Sequence, residues 1–182
     1  MVNTYKLKFT VLQQEILRFF NIKAGKSFTA RALAKSLEVS PPAIAKALPL
    51  LEKEKLITVK KDKESKRLSI ELNKDNFSVL GLKRADNLKQ LYDSGFIQFL
   101  KDVLPGATVI LFGSYAHGED TITSDIDIAV IGIKQKSIDL ALYEKILERE
   151  IIFNYYSSFR NIDKHLLNNI LNGITLKGAV EL

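Results

Sequence analysis

Between Asp125 and Ile131 the chain alternates: Ile126, Ile128 and Val130 fall between Asp125, Asp127 and Ala129. Period two is the mark of a strand with unlike faces, and it fixes where the charges go. Successive side chains of a strand leave on opposite faces, so Asp125 and Asp127 leave on the same one, about 7 Å apart along the chain. Two aligned carboxylates repel unless something binds them, and a divalent cation such as magnesium supplies the counter-charge. The preceding run Val109-Ile110-Leu111-Phe112 reads as another strand that stops at Gly113-Ser114. Strand, turn and strand thus deliver a small-residue turn and an acidic pair to one place.

The residues between the two strands suit a polyphosphate. Gly113 permits a tight turn with exposed backbone N–H groups and Ser114 adds a hydroxyl, so a triphosphate could be held where a short helix begins at Tyr115 and Ala116. Gly118 lets the chain leave that helix, and the polar Glu119-Asp120-Thr121 carries it toward Ser124. Composition narrows the chemistry. The absence of cysteine excludes disulfides, thiolate metal sites and cysteine nucleophiles, and two histidines, His117 and His165, are too few for a histidine cluster. No apolar run approaches membrane-spanning length, and the start, MVNTYKLKFT, lacks the apolar region of a secretory signal. A cytoplasmic protein without membrane contact is expected.

Charge divides unevenly along the chain. Residues 1–76 carry 16 lysines and arginines against 8 acidic residues, a balance of +8, while residues 77–182 carry 11 against 13, a balance of −2. A basic N-terminal half points to a nucleic acid or another polyanion. Its pattern sharpens that reading. Leu12, Ile16, Phe19 and Phe20 repeat at helical spacing up to Ala24-Gly25, and Ala30, Leu33, Ala34 and Leu37 do so after Thr29. Ser40 caps a third helix, with Pro41 at its first position and Ile44, Leu48 and Leu51 on its buried face. Ile57 and Val59, then Leu68, Ile70 and Leu72, read as a hairpin with a basic tip.

Three helices and a basic hairpin, above all the stretch SPPAIAKALPLLEKEKLI, resemble the winged helix-turn-helix domains of small prokaryotic regulators, over roughly residues 10–75. In that family the third helix enters the DNA major groove and the wing meets backbone or minor groove. The resemblance implies that Ser40, Pro42, Ala43 and Lys46 face bases and that Lys60, Lys61, Lys63, Lys66 and Arg67 face phosphate. Lysines on a wing hold a protein on DNA without choosing a sequence. Pro49 is expected to bend the third helix, because it deletes the bond to the Ala45 carbonyl. Winged-helix proteins commonly bind as dimers, so a homodimer is an expected assembly.

Asn73-Lys74-Asp75-Asn76 is polar and turn-rich, placing a boundary between residues 1–76 and residues 77–182. A long helix is expected over Lys83 to Leu104, broken at Ser94-Gly95 and ended by Pro105-Gly106. A further helix through Leu140, Leu142, Ile146 and Leu147 precedes a strand from Glu150 to Tyr156. The closing helix stops at Asn172-Gly173, leaving Ile174 to Leu182 as a short extended tail available for an intersubunit contact.

The segment GSYAHGEDTITSDID resembles the signature of the nucleotidyltransferase superfamily that includes DNA polymerase beta, especially its minimal stand-alone members, over residues 105–182. The expected whole is an α/β (α+β) chain: a winged helix-turn-helix, a connecting helix, and a nucleotidyltransferase fold with a small mixed sheet flanked by helices. The resemblance implies that Asp125 and Asp127 hold magnesium and act in catalysis, and that Gly113, Ser114, Gly118 and Ser124 bind a nucleoside triphosphate, ATP being the expected one. Active relatives usually carry a third carboxylate on the next strand, on the same face. Period two puts Glu150, Ile152, Asn154 and Tyr156 on one face there, so either Glu150 or Asn154 takes the position. Glu150 would complete an acidic triad and is the third catalytic candidate; Asn154 is neutral and a poorer magnesium ligand. The implied reaction transfers a nucleoside monophosphate to a protein or RNA hydroxyl and releases pyrophosphate. Stand-alone relatives often modify a protein, including HEPN-type ribonuclease toxins paired with them as antitoxins, which makes a toxin an implied partner. The alternative is a DNA-binding regulator whose second domain senses nucleotide or binds a partner without catalysis. Such fusions look prokaryotic, and the lysine-rich composition leans archaeal.

Overall fold

A computed structural model describes residues 7–61 and 68–181, and the chain divides into two compact units, residues 1–79 and residues 80–182. In the first unit each helix opens on a hydroxyl residue immediately before it. Thr10 and Gln13 form a reciprocal capping box at the start of α1 (Val11–Ile22), Thr29 accepts from Ala32 N–H at α2 (Ala30–Ser36), and Ser40 from Ala43 N–H at α3 (Pro41–Lys53). These caps satisfy N–H groups that have no intrahelical partner, so the helix starts are locally encoded. α3 runs on through Pro49 to Lys53. Ile16, Phe20, Leu33, Ile44 and Leu51 meet with no exposed surface.

β1 (Ile57–Lys61) and β2 (Leu68–Leu72) then pair antiparallel, with Val59 opposite Ile70. Phe28 exchanges two backbone hydrogen bonds of 2.8 Å with Ile70, adding a one-residue third strand to the hairpin. Its ring stands edge-on to Phe19 and Phe20. Three helices and a hairpin around one core make this unit a winged helix. The wing-tip candidates Lys63, Lys66 and Arg67 lie outside the described residues.

The expected Lys83–Leu104 helix is two helices, and the first starts earlier: α4 (Phe77–Asp93) and α5 (Phe96–Val103) meet at Gly95, whose φ of 77° no longer continues a helix. The second unit then forms β3 (Thr108–Phe112), the five-residue α6 (Gly113–His117), β4 (Ile126–Ile131), α7 (Ala141–Leu147), β5 (Ile151–Tyr156), α8 (Lys164–Leu171) and β6 (Ile174–Lys177). The sheet order is β5-β4-β3-β6, with β4 and β5 parallel and the other pairs antiparallel. The expected free tail is therefore corrected: β6 belongs to the sheet, giving β3 a second partner for backbone groups that would otherwise be buried unpaired. Gly173 makes the approach possible, since a Cβ there would lie 2.2 Å from the Leu111 carbonyl.

Both faces of this sheet are covered. Val109, Leu111, Ile126, Ile128 and Val130 pack with Phe96, Ile97 and Leu100 of α5, while Ile110, Phe112, Ala129 and Ile131 pack with Phe159, Ile162 and Ile170. That explains why β3 reads as a continuous apolar run. Asp125 and Asp127 stand at the start of β4, on the face of Ala129 and Ile131. No helix among the described residues is long and apolar enough to cross a membrane.

A charged cluster lies inside this unit. Asp120 is 1% exposed; its Oδ1 accepts from Lys83 Nζ and, at 2.7 Å, from Asn87 Nδ2, and its Oδ2 faces Arg149 Nη2 at 3.4 Å. Asn87 also donates to the Tyr115 carbonyl at 3.0 Å. Burial holds the Lys83 ammonium below its ordinary value, with Asp120 opposing that shift. Asp120→Ala would strand two buried cations and is expected to destabilise the fold by about 3–5 kcal/mol in denaturant titrations. Lys83→Met should cost much less, because Arg149 still faces Asp120 and a buried charge is replaced by apolar volume.

Candidate functional site

The antiparallel register sets Phe112 of β3 opposite Asp127 of β4, so Gly113, the next residue, falls beside the Asp127 carboxylate. A Cβ on Gly113 would sit 2.6 Å from Asp127 Oδ2, and Gly113 has φ of 73°. Glycine is required there twice over, by space and by backbone conformation. Asp127 is half-buried, and its carboxyl is pushed above the ordinary aspartate value, first by burial and then by Asp125. α6 begins against this carboxylate, and its N-cap, Phe112, offers no side-chain cap to the first N–H groups.

The other nucleotide candidates have structural duties. Ser124 Oγ accepts from Thr121 N–H at 2.9 Å and so closes the turn that delivers Asp125. Gly118, with φ of 75°, lies under α4, where a Cβ would come 2.4 Å from the Leu80 carbonyl and 2.7 Å from Arg84 N. It ends α6, roughly 7 Å along the helix from Gly113. The structure therefore brings together Gly113, Asp125 and Asp127, with Ser114 at the start of α6, and sets Gly118 apart from them.

The parallel register of β4 and β5 sets which residue lies beside Asp127. Asp127 pairs with Ile152 and Ala129 with Asn154. Glu150 is exposed and lies one residue before β5, with its carbonyl accepting from Ile126 N–H at 2.8 Å. Among the described residues no three histidine, cysteine or acidic side chains are grouped to hold a metal. The acidic triad expected from Glu150 is thus not assembled, because the register gives the place beside Asp127 to an aliphatic side chain. Asp125 and Asp127 still fit one divalent cation: two carboxylates share a face, and the Asp127 carboxyl is raised first by burial and then by Asp125.

On the first unit, Ser40, Pro42 and Lys46 are exposed along α3 and Ala43 is half-buried. Lys61 is exposed at the end of β1, and Lys60 is held at 2.8 Å by Glu71, which raises its pKa. Sequence reasoning passed over Arg31 and Lys35. Both are exposed on α2 and line a groove of about 520 Å³ together with Thr29 and Pro41. Their spacing of four on the polar side of that helix was the available signal.

Two outcomes follow for the acidic pair. Gly113→Ala should cost about 1–3 kcal/mol through strain alone, read from thermal and denaturant unfolding. The raised Asp127 carboxyl stabilises the fold only when protonated: that contribution is complete below 3.8, its ordinary value, and is lost as pH rises through the raised folded value. Asp127→Asn should therefore raise the melting temperature at neutral pH, with the difference shrinking toward acid pH. Equal melting across the range would refute the electrostatic account.

Residues 94–173 match the nucleotidyltransferase domain family. No protein of curated function matches the chain. Solved structures similar to it include the adhesin competence repressor AdcR of Streptococcus pyogenes, at 23% identity over 52% of this chain and 68% of that one, with a TM-score of 0.39. A mutant of Lactococcus lactis ZitR matches at 19% identity over 56% of this chain and 66% of that one, with a TM-score of 0.41. The MepR–DNA complex of S. aureus matches at 22% identity over 53% and 67%, with a TM-score of 0.40. Residues 94–173 of this chain are therefore similar to the nucleotidyltransferase domain family, and the turn at Gly113 and the acidic pair at the start of β4 both lie within that match.

Proposed function

We propose that the nucleotidyltransferase domain binds a magnesium–nucleoside triphosphate, with ATP the first to test, and that the winged helix binds duplex DNA, making the chain a nucleotide-responsive DNA-binding regulator. The observation that carries this reading is Ile152 beside Asp127. Asp125 and Asp127 would hold one magnesium ion, whose chemistry is to neutralise phosphate charge and orient the triphosphate. Gly113 leaves room for a phosphate group to approach the uncapped start of α6. With an aliphatic group in the third position, the site binds without the ligand that a second cation and an activated acceptor hydroxyl need.

Catalysis is the second reading, and Glu150 favours it. Its carbonyl accepts from Ile126 N–H, and period two puts it on the same strand face as Ile152. In that case the reaction is transfer of a nucleoside monophosphate to a protein or RNA hydroxyl, a toxin among the candidates, with pyrophosphate released.

Isothermal titration with each triphosphate should show magnesium-dependent binding that the Asp125→Ala, Asp127→Ala double variant loses. Incubation with labelled triphosphate and lysate should leave no aspartate-dependent label; label on protein or RNA would transfer the assignment to the second reading. For the DNA, removing Arg31 and Lys35 should weaken binding evenly across sequences. The slope of log affinity against log salt should fall by about 0.9 for each phosphate that is no longer neutralised.

A further inference from the structure

β5 is an edge strand: β4 is its one neighbour among the described residues. The ladder shows which of its backbone groups are used. Ile126 N–H donates to the Glu150 carbonyl at 2.8 Å and Gly132 N–H to the Tyr156 carbonyl at 3.0 Å, so the even-numbered residues of this stretch turn their backbone groups toward β4. Ile151, Phe153 and Tyr155 turn theirs outward. The Ile151 N–H is taken by Glu144 Oε1 at 3.1 Å. The backbone groups of Phe153 and Tyr155 have no partner among the described residues. Natural edges are guarded by charge, proline, bulges or a cover, and Ile-Ile-Phe-Asn-Tyr-Tyr has neither a charge nor a proline. Five of its six side chains are partly exposed.

We propose that two copies of this chain pair through β5, antiparallel about a twofold axis at Asn154, joining two four-stranded sheets into one. Charge selects this occupant and this direction. Glu148 and Glu150 lead into the strand and Arg160 follows it, so antiparallel pairing sets the acidic end of one copy against the basic end of the other. Parallel pairing would set like charges side by side. The open groups then choose the register: Phe153 lies opposite the partner's Tyr155, Tyr155 opposite the partner's Phe153, and each pair exchanges both backbone bonds. Asn154 meets the partner's Asn154 on the face of the acidic pair, where two amides can bond to each other. The interface is isologous, as a closed twofold dimer demands. It is independent of the nucleotide and DNA readings.

The test is the mass of the full chain by light scattering and sedimentation, from low-micromolar to sub-millimolar protein. A dimer is expected, at twice 20.5 kDa. Tyr155→Pro removes an outward N–H and spares every bond to β4, a placement proline tolerates in edge strands. It should give a folded monomer by circular dichroism, while Tyr155→Thr, which keeps the N–H, should remain a dimer. Should the proline variant fail to fold, the Glu148→Lys, Glu150→Lys double variant carries the same test, because it makes both ends of the strand basic. A monomer at every concentration overturns the proposal, as does a dimer that survives both the proline and the charge variants.

Discussion

The second unit is organised around a buried carboxylate. Asp120 gathers Lys83 and Asn87 from α4 and Arg149 from the entry to β5, while lying itself in the connection between α6 and β4. Two cations and an amide converge on one acid with almost no water to screen them, so the cluster is costly to break at Asp120. Its effect is positional. It fixes the chain just before Asp125 and just before Ile151, and so holds the two strands whose register sets the site. Gly118 belongs to the same arrangement, since the absence of its side chain lets α4 come down on α6.

The candidate site inherits both its strength and its deficiency from that register. Asp127 is pressed against Gly113 and beside Asp125, so its charge is disfavoured first by burial and then by its neighbour. The same register sets Ile152 at the neighbouring place, where a third carboxylate would have made a fuller cation site. The register thus leaves two carboxylates on one face and an aliphatic side chain beside them, the arrangement on which the proposed binding of one divalent cation rests.

Much of the architecture was legible because it is local. Thr10, Thr29 and Ser40 announce helices through caps that reach only three residues ahead, and the alternation from Asp125 to Ile131 announces a strand and the shared face of its two acids. The family signature from Gly113 to Asp127 is equally compact. Where reading failed, the deciding contact was distant in sequence. The tail after Gly173 looked like an extended end, yet it is a strand because β3, some sixty residues earlier, needed a partner. Gly118 reads from the sequence as the exit from the short helix, which it is, but the close approach of α4 to it is not legible there.

By itself, then, the sequence determined the two-part organisation, the winged-helix pattern, the turn at Gly113 and the common face of Asp125 and Asp127. All of these follow from side-chain periodicity and from hydrogen bonds between near neighbours. Only the tertiary structure decided that Lys83 is a buried ion-pair partner and that Ile152 stands beside Asp127. It alone also turns the backbone groups of Phe153 and Tyr155 away from β4. Period two says which residues share a face of a strand, but which residue lies opposite which is set by the packing of the whole sheet.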